Sequence, residues 1–220
     1  MASPVVTLIG GESTGKSTLT RTLAGHLSAR HGLRCRQVDE HLRQWCQQAG
    51  RAPLAHEQAA LATRQAELIA EAAAADDADI VIADTSAMVV AAYSALYFDD
   101  DALWADALAW QRGYDLTLLM GLDVPWVPDG LFRDSPEIRQ RTDALLRQAL
   151  QTAGLPFLTI YGQGQDRLQQ ALRPLGRLLG RPLADDPPAW GLGRASWHCE
   201  RCSDPGCEHQ LFTRLLPRAG

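Results

Sequence analysis

The chain has 220 residues, of which 46% are apolar and 21% charged, and carries a net charge of −5. Usage this ordinary excludes a disordered, fibrous or disulfide-stapled chain, and the acidic balance argues against broad attraction to nucleic acid or anionic lipid. No basic leader precedes the first strand and no apolar run reaches membrane-spanning length, so a cytosolic protein is expected.

Val5 to Ile9 is a β-rich apolar run that predicts a first strand, and Leu19, Leu23 and Leu27 give Ser17 to Ala29 helical spacing. A second strand over Arg34 to Val38 ends at Asp39-Glu40, with a helix following through Trp45. Pro53 breaks that pattern before an alanine-rich helix from about His56 to Ala75. A third strand, Ile80 to Ala83, ends at Asp84. Helices are predicted from Ala87 to Tyr97 and from Asp100-Asp101 through Trp110, then a fourth strand from Leu116 to Leu122. Pro125, Pro128 and Gly130 mark an irregular segment. Ser135-Pro136-Glu137 opens a helix to about Thr152, with proline in the first turn. Pro156 to Tyr161 reads as a fifth strand, and Arg167 to Leu179 as the last helix. This alternation predicts an α/β fold of three layers, a five-stranded parallel sheet covered on both faces. Residues 1–181 are expected to form that domain, and 182–220, rich in Pro, Asp and then Cys and His, a linker and small tail.

Between the first strand and helix lies Gly10-Gly11-Glu12-Ser13-Thr14-Gly15-Lys16-Ser17, a full match to the phosphate-binding pattern GxxxxGK[ST] in its required context. The glycines let backbone amides gather around phosphates, and the helix N-terminus, with Thr18 in its first turn, adds its positive dipole end. Lys16 is predicted to reach the β and γ phosphates of ATP, and Ser17 to bind Mg²⁺. Lys16 is also the only lysine among 21 basic residues. A compact ammonium fits between phosphate oxygens where a guanidinium fork does not.

Asp84 lies at the C-terminal edge of the predicted sheet, where open α/β folds bind ligands, and is the candidate acid for organising Mg²⁺. Asp39 and Glu40 stand at the end of the second strand, placed to deprotonate an acceptor hydroxyl or help hold the metal. The alternative for these acids is that they cap the helices that follow. Trp126 to Arg141, bearing Arg133, Arg139 and Arg141, has the character of a lid over a transferred phosphoryl group, although solvated arginines would give the same pattern. Gly162 to Arg167 is a candidate passage along the adenine.

With these residues, positions 4 to 179 resemble the ribosylnicotinamide kinase domain of NadR-type proteins and the wider NadR-like AAA ATP-binding proteins. The resemblance rests on the Leu8 to Ser17 segment, Glu40 with Arg43, Ile82-Ala83-Asp84-Thr85, and Asp115. It extends through Trp126-Val127-Pro128-Asp129-Gly130 with Arg133, and through the Pro156 strand followed by Gly162 and Arg167. It implies a nucleoside kinase fold, transfer of the γ-phosphate of ATP to a ribosyl 5′-hydroxyl, Asp84 and Glu40 around metal and acceptor, and Arg133 on the lid. Phe132 separates Arg133 from the family's Asp-Gly-Leu pattern, which leaves Arg133 and Arg139 as alternatives facing the phosphates. The nucleotidyltransferase domain of bifunctional members does not occur in this chain.

Near the end, Cys199, Cys202, Cys207 and His209 have the composition of a Cys₃His zinc site, with His198 an alternative to His209. Free or redox-active thiols remain the other reading. The leading expectation is an ATP- and Mg²⁺-dependent kinase for a small nucleoside. The rival is an ATPase or ATP-binding regulatory module acting on a partner, and the oligomeric state is left open.

Overall fold

The computed structural model describes residues 2–75, 77–127 and 135–185. Five strands, β1 (Val5–Ile9), β2 (Cys35–Val38), β3 (Ile80–Asp84), β4 (Leu116–Met120) and β5 (Leu158–Ile160), form one parallel sheet in the order β2-β3-β1-β4-β5. Among the described residues seven α-helices connect or follow them, α1 (Lys16–His31), α2 (His41–Ala49), α3 (Gln58–Ala74), α4 (Ala87–Phe98), α5 (Trp104–Gln111), α6 (Pro136–Thr152) and α7 (Gly164–Leu178), with a short 3-10 turn at Ala55–Glu57 before α3. Among the described residues no helix is long and apolar enough to cross a membrane.

Strand alternation divides the core into two layers. Val6, Leu8, Ile80, Ile82, Leu118 and Met120 face α1 and α7, meeting Leu19, Leu23, Leu27, Leu168, Leu172 and Leu175. On the opposite face Ile9 and Leu119 pack with α3, α4 and α6 through Leu61, Met88, Leu146 and Leu150. Val5, Val81 and Ala83 pack with Val38, Ile69 and Ala72, so β1 and β3 are buried along their whole length, as expected of central parallel strands. Helix α4 is buried continuously from Ala87 to Ser94 because α3, α5 and α6 surround it.

Element ends differ from the sequence expectations for local reasons. Strand β4 stops at Met120, two residues early, because the Leu122 carbonyl turns to accept from Arg139. Helix α5 begins at Trp104 rather than at Asp100-Asp101, since the Asp100 carboxylate accepts from the Ala102 amide and the Trp104 amide donates to Asp101, forming a turn. Helix α7 starts one turn early, with Gln163 extended before it. Residues 181–185 continue along the body, where Leu183 is buried between α1 and α7 and Arg181 donates to the His31 carbonyl at 2.8 Å. Cys199, Cys202, Cys207 and His209, the expected zinc ligands, lie outside the described residues, as does Arg133.

Candidate phosphate-binding site

Strand β1 sits between β3 and β4, so the chain crosses from one side of the sheet to the other beside its C-terminal end, the crevice where doubly wound sheets bind ligands. The loop from Gly10 to Gly15 emerges there. Gly10 (φ 150°) and Gly15 (φ 81°) hold conformations that side chains resist, and a Cβ on Gly10 would meet Met120 at 3.1 Å. Thr14 Oγ1 donates to the Gly11 carbonyl at 2.7 Å, tightening the turn. Helix α1 then begins with Gly15 as N-cap, with no side-chain cap and no acid in its first turn. Its first amides have no competing carboxylate, the arrangement that suits an anion.

Lys16 is buried, and its Nζ donates to the carbonyls of Gly10 at 2.8 Å and Gly11 at 3.0 Å, so the ammonium lies across the loop. Ser17 follows, half-buried, while Thr18 is exposed. Two distant arginines brace the loop. Arg167, near the start of α7, donates from one Nη to the Thr14 carbonyl at 2.6 Å and from the other to Asp123 Oδ1 at 3.2 Å. Arg139, on α6, donates to the carbonyls of Val124 at 2.8 Å, Leu122 at 3.1 Å and Ser13 at 3.4 Å. Burial lowers the affinity of both guanidinium groups for their protons, and nearby carboxylates oppose that shift. The close fit explains the small residues here: a Cβ on Gly11 would lie 2.9 Å from the Arg139 carbonyl oxygen, and one on Gly15 2.9 Å from an Nη of Arg167. Ser13, at φ 56°, accepts from the Val127 amide at 2.9 Å and ties the loop to the segment ahead of α6.

Asp84 ends β3 opposite Leu8 of β1, 5% exposed, and its Oδ1 has no hydrogen-bond partner among the described residues. A buried carboxylate oxygen left so is costly unless a cation or donor meets it, so the residue fits a metal-organising role. Of the acid pair after β2, Asp39 is exposed, whereas Glu40 is half-buried with Arg43 Nε 3.4 Å from its Oε2. Gln65 of α3 fixes that turn, accepting from the His41 amide at 2.8 Å. Glu40 and Glu12 both act on the buried Tyr93 hydroxyl of α4: burial pushes its pKa well above the ordinary value, the two carboxylates add to this and Arg43 opposes it. The loop, the β2 end and α4 thus converge on one region, with Tyr97 beside Tyr93 at a ring separation of 6.0 Å.

The sequence expectations omit Asp123, Tyr93 and Gln65. Asp123 accepts from Arg167 and, at 2.6 Å, from the Gly162 amide, so it fastens the β5–α7 loop to the end of β4. An acid just past a strand end, as with Asp84, is the signal that could have found it. Among the described residues no cluster of three or more His, Cys, Asp or Glu could hold a metal ion.

Residues 5–167 match the family described as AAA domain. No curated protein matches the sequence. Among solved structures, the chain is similar to NadR protein in complex with NR (22% identity, TM-score 0.66, covering 84% of this chain and 53% of that one). A NadR structure with NAD and AMP-PNP is similar at 22% identity and TM-score 0.65, covering 81% and 50%. The chain thus spans about half the length of those proteins. Thymidylate kinase from Ehrlichia chaffeensis shares the fold at 15% identity and TM-score 0.57, covering 80% of this chain and 99% of that one.

Proposed function

The chain belongs to the AAA domain family, and on that footing we propose that it is an ATP- and Mg²⁺-dependent phosphotransferase acting on a small ribosyl nucleoside. The observation that carries this reading is the convergence of the phosphate loop, Asp84 and the Glu12–Glu40–Tyr93 region at one end of the sheet. A pure ATPase has no need of the second part. The likeness to NadR in complex with NR supports nicotinamide riboside as the first acceptor to test.

In this reading the amides of the loop and of the α1 N-terminus bind the triphosphate, and Lys16 exchanges its loop carbonyls for phosphate oxygens. Ser17 and Asp84 would hold Mg²⁺, which when bound neutralises charge on the transferring phosphoryl group. Glu40, rather than the exposed Asp39, accepts the proton of the acceptor hydroxyl, because it is the partly buried acid of the pair and acts with Glu12 of the loop on the same Tyr93 hydroxyl. Tyr93 and Tyr97 give the acceptor an apolar wall, and Arg139 and Arg167 keep the loop carbonyls engaged so that its amides can face the anion. The test is ATP turnover against a nucleoside panel with mass detection of product. A phosphorylated nucleoside is expected; ATP hydrolysis with no acceptor gaining a phosphoryl group would leave the ATPase reading in its place.

A further inference from the structure

Behind the phosphate loop, the apolar layer between the sheet and α4–α5 holds a hydrogen-bonded group of polar side chains. Gln111, the last residue of α5, is 2% exposed. Its Nε2 donates to Thr7 Oγ1 of β1 at 2.9 Å and to Thr117 Oγ1 of β4 at 2.8 Å, while its Oε1 accepts from Ser86 Oγ at 2.7 Å. Ser86 Oγ also accepts from the Met88 amide as the N-cap of α4, so the same hydroxyl that donates to Gln111 holds the first turn of that helix. Thr7 and Thr117 are in register across the β1–β4 pair, so one amide joins two central strands to the start of α4.

Between Asp84 and Ser86 stands Thr85, a β-branched residue at φ 92°. Such a conformation is strained and persists only when its surroundings enforce it. Two bonds do so: the Thr85 amide donates to the Leu8 carbonyl at 3.0 Å, and Ser86 is held by Gln111. Relaxing Thr85 would turn the peptide that follows Asp84 and carry its carboxylate with it. We infer that Gln111 is a positioning residue, anchoring Ser86 to β1 and β4 so that the strained Thr85 turn fixes the Asp84 carboxylate beside the phosphate loop. The inference rests on the role given to Asp84 above.

Replacing Gln111 alone would strand both threonine hydroxyls, so the test replaces these three together, Thr7→Val, Gln111→Leu and Thr117→Val, whose apolar side chains keep the core filled and which leave Ser86 its bond from the Met88 amide. Nucleotide-induced melting shifts are measured over a Mg²⁺ series and in EDTA, with hydrogen exchange of residues 82–88 in metal-free protein. The Mg²⁺ concentration for half-maximal stabilisation is expected to rise about tenfold or more, the scale on which outer partners of metal ligands act, with ATP binding in EDTA unchanged. Exchange at Thr85 should quicken. A folded triple variant with the wild-type Mg²⁺ midpoint overturns the inference. Should that variant not fold, Thr117→Val alone, which removes one anchor, is read by the same two outcomes. Wild-type protein whose nucleotide response ignores Mg²⁺, or an Asp84→Asn variant that keeps the full Mg²⁺ response, would instead remove the role of Asp84 itself.

Discussion

Arg167→Met separates two kinds of work an arginine at this place can do. In the structure its guanidinium spans from the Thr14 carbonyl to Asp123, whose side chain is 9% exposed, and Asp123 in turn holds the Gly162 amide. Methionine keeps much of the stem's apolar contact but leaves Asp123 with a single donor among these contacts and the Thr14 carbonyl without its charged one. Breaking a buried pair by removing one partner costs ~3–5 kcal/mol, and the 3.2 Å separation with slight solvent access points to the lower end, ~3 kcal/mol. For a domain of this size that lowers the melting temperature by ~6–12 °C. Asp123→Asn and the double variant complete a cycle in which a coupling of ~1–3 kcal/mol is expected, since the two groups touch. Calorimetry gives the stabilities, and an ATP titration by melting shift gives the binding. ATP affinity should fall as well, through the loosened Thr14 carbonyl, but stability must fall first. A variant that melts with wild-type protein and yet no longer binds ATP would refute the bracing role and assign Arg167 to direct contact with the nucleotide.

Lys16→Ala should abolish the ATP-induced melting shift, which in wild-type protein corresponds to ~2.7 kcal/mol at ligand 100-fold above Kd; an unchanged shift contradicts the site. Gly11→Ala places a methyl 2.9 Å from a backbone oxygen of α6, so an overpacking cost of ~1–3 kcal/mol and weaker ATP binding are expected by urea melting and titration. Burial pushes the Tyr114 hydroxyl to a pKa of about 12. Its folded pKa lies above the unfolded value of about 10, so its contribution to stability is whole below pH 10 and is lost as pH rises toward 12. Tyr114→Phe should flatten that alkaline decline. Because the hydroxyl has no partner among the described residues, the same change at pH 7 should cost nothing and gain up to ~1 kcal/mol, read by denaturant melts at both pH values.

How much of this site is legible in sequence depends on how far apart its parts lie along the chain. The strand, loop and first helix turn fall within residues 5–18, so their pattern carries its own context and Lys16 can be placed without the fold. Asp84 is legible for the same reason, as the acid closing an apolar strand. Asp39 and Glu40 are not separable that way, because adjacent acids share every sequence signal; only the turn clamped by Gln65 leaves one exposed and the other half-buried. Gln111 shows still less. A glutamine at a helix end has the pattern of a surface residue, and the sole hint is a threonine inside each of two apolar strands.

The arginines are the instructive case, since a phosphate oxygen and a peptide carbonyl ask for the same donor and the sequence cannot say which one a given arginine meets. Burial explains why arginine fills these places. Arg139 divides its donors among three carbonyls, Arg147 joins Asp143 on its own helix to Thr159 of β5, and Arg167 joins Thr14 to Asp123. Each needs a planar fork that reaches separate acceptors at once, which an ammonium on a flexible stem does poorly. Lys16 faces the opposite demand. Its two acceptors, Gly10 and Gly11, are neighbours in one loop, and in the function proposed above they are released when a phosphate arrives, so a compact charge that reorients on its stem serves where a fork would hold fast. The lone lysine of the chain is thus placed where the charge has to move, and the buried arginines where it has to stay.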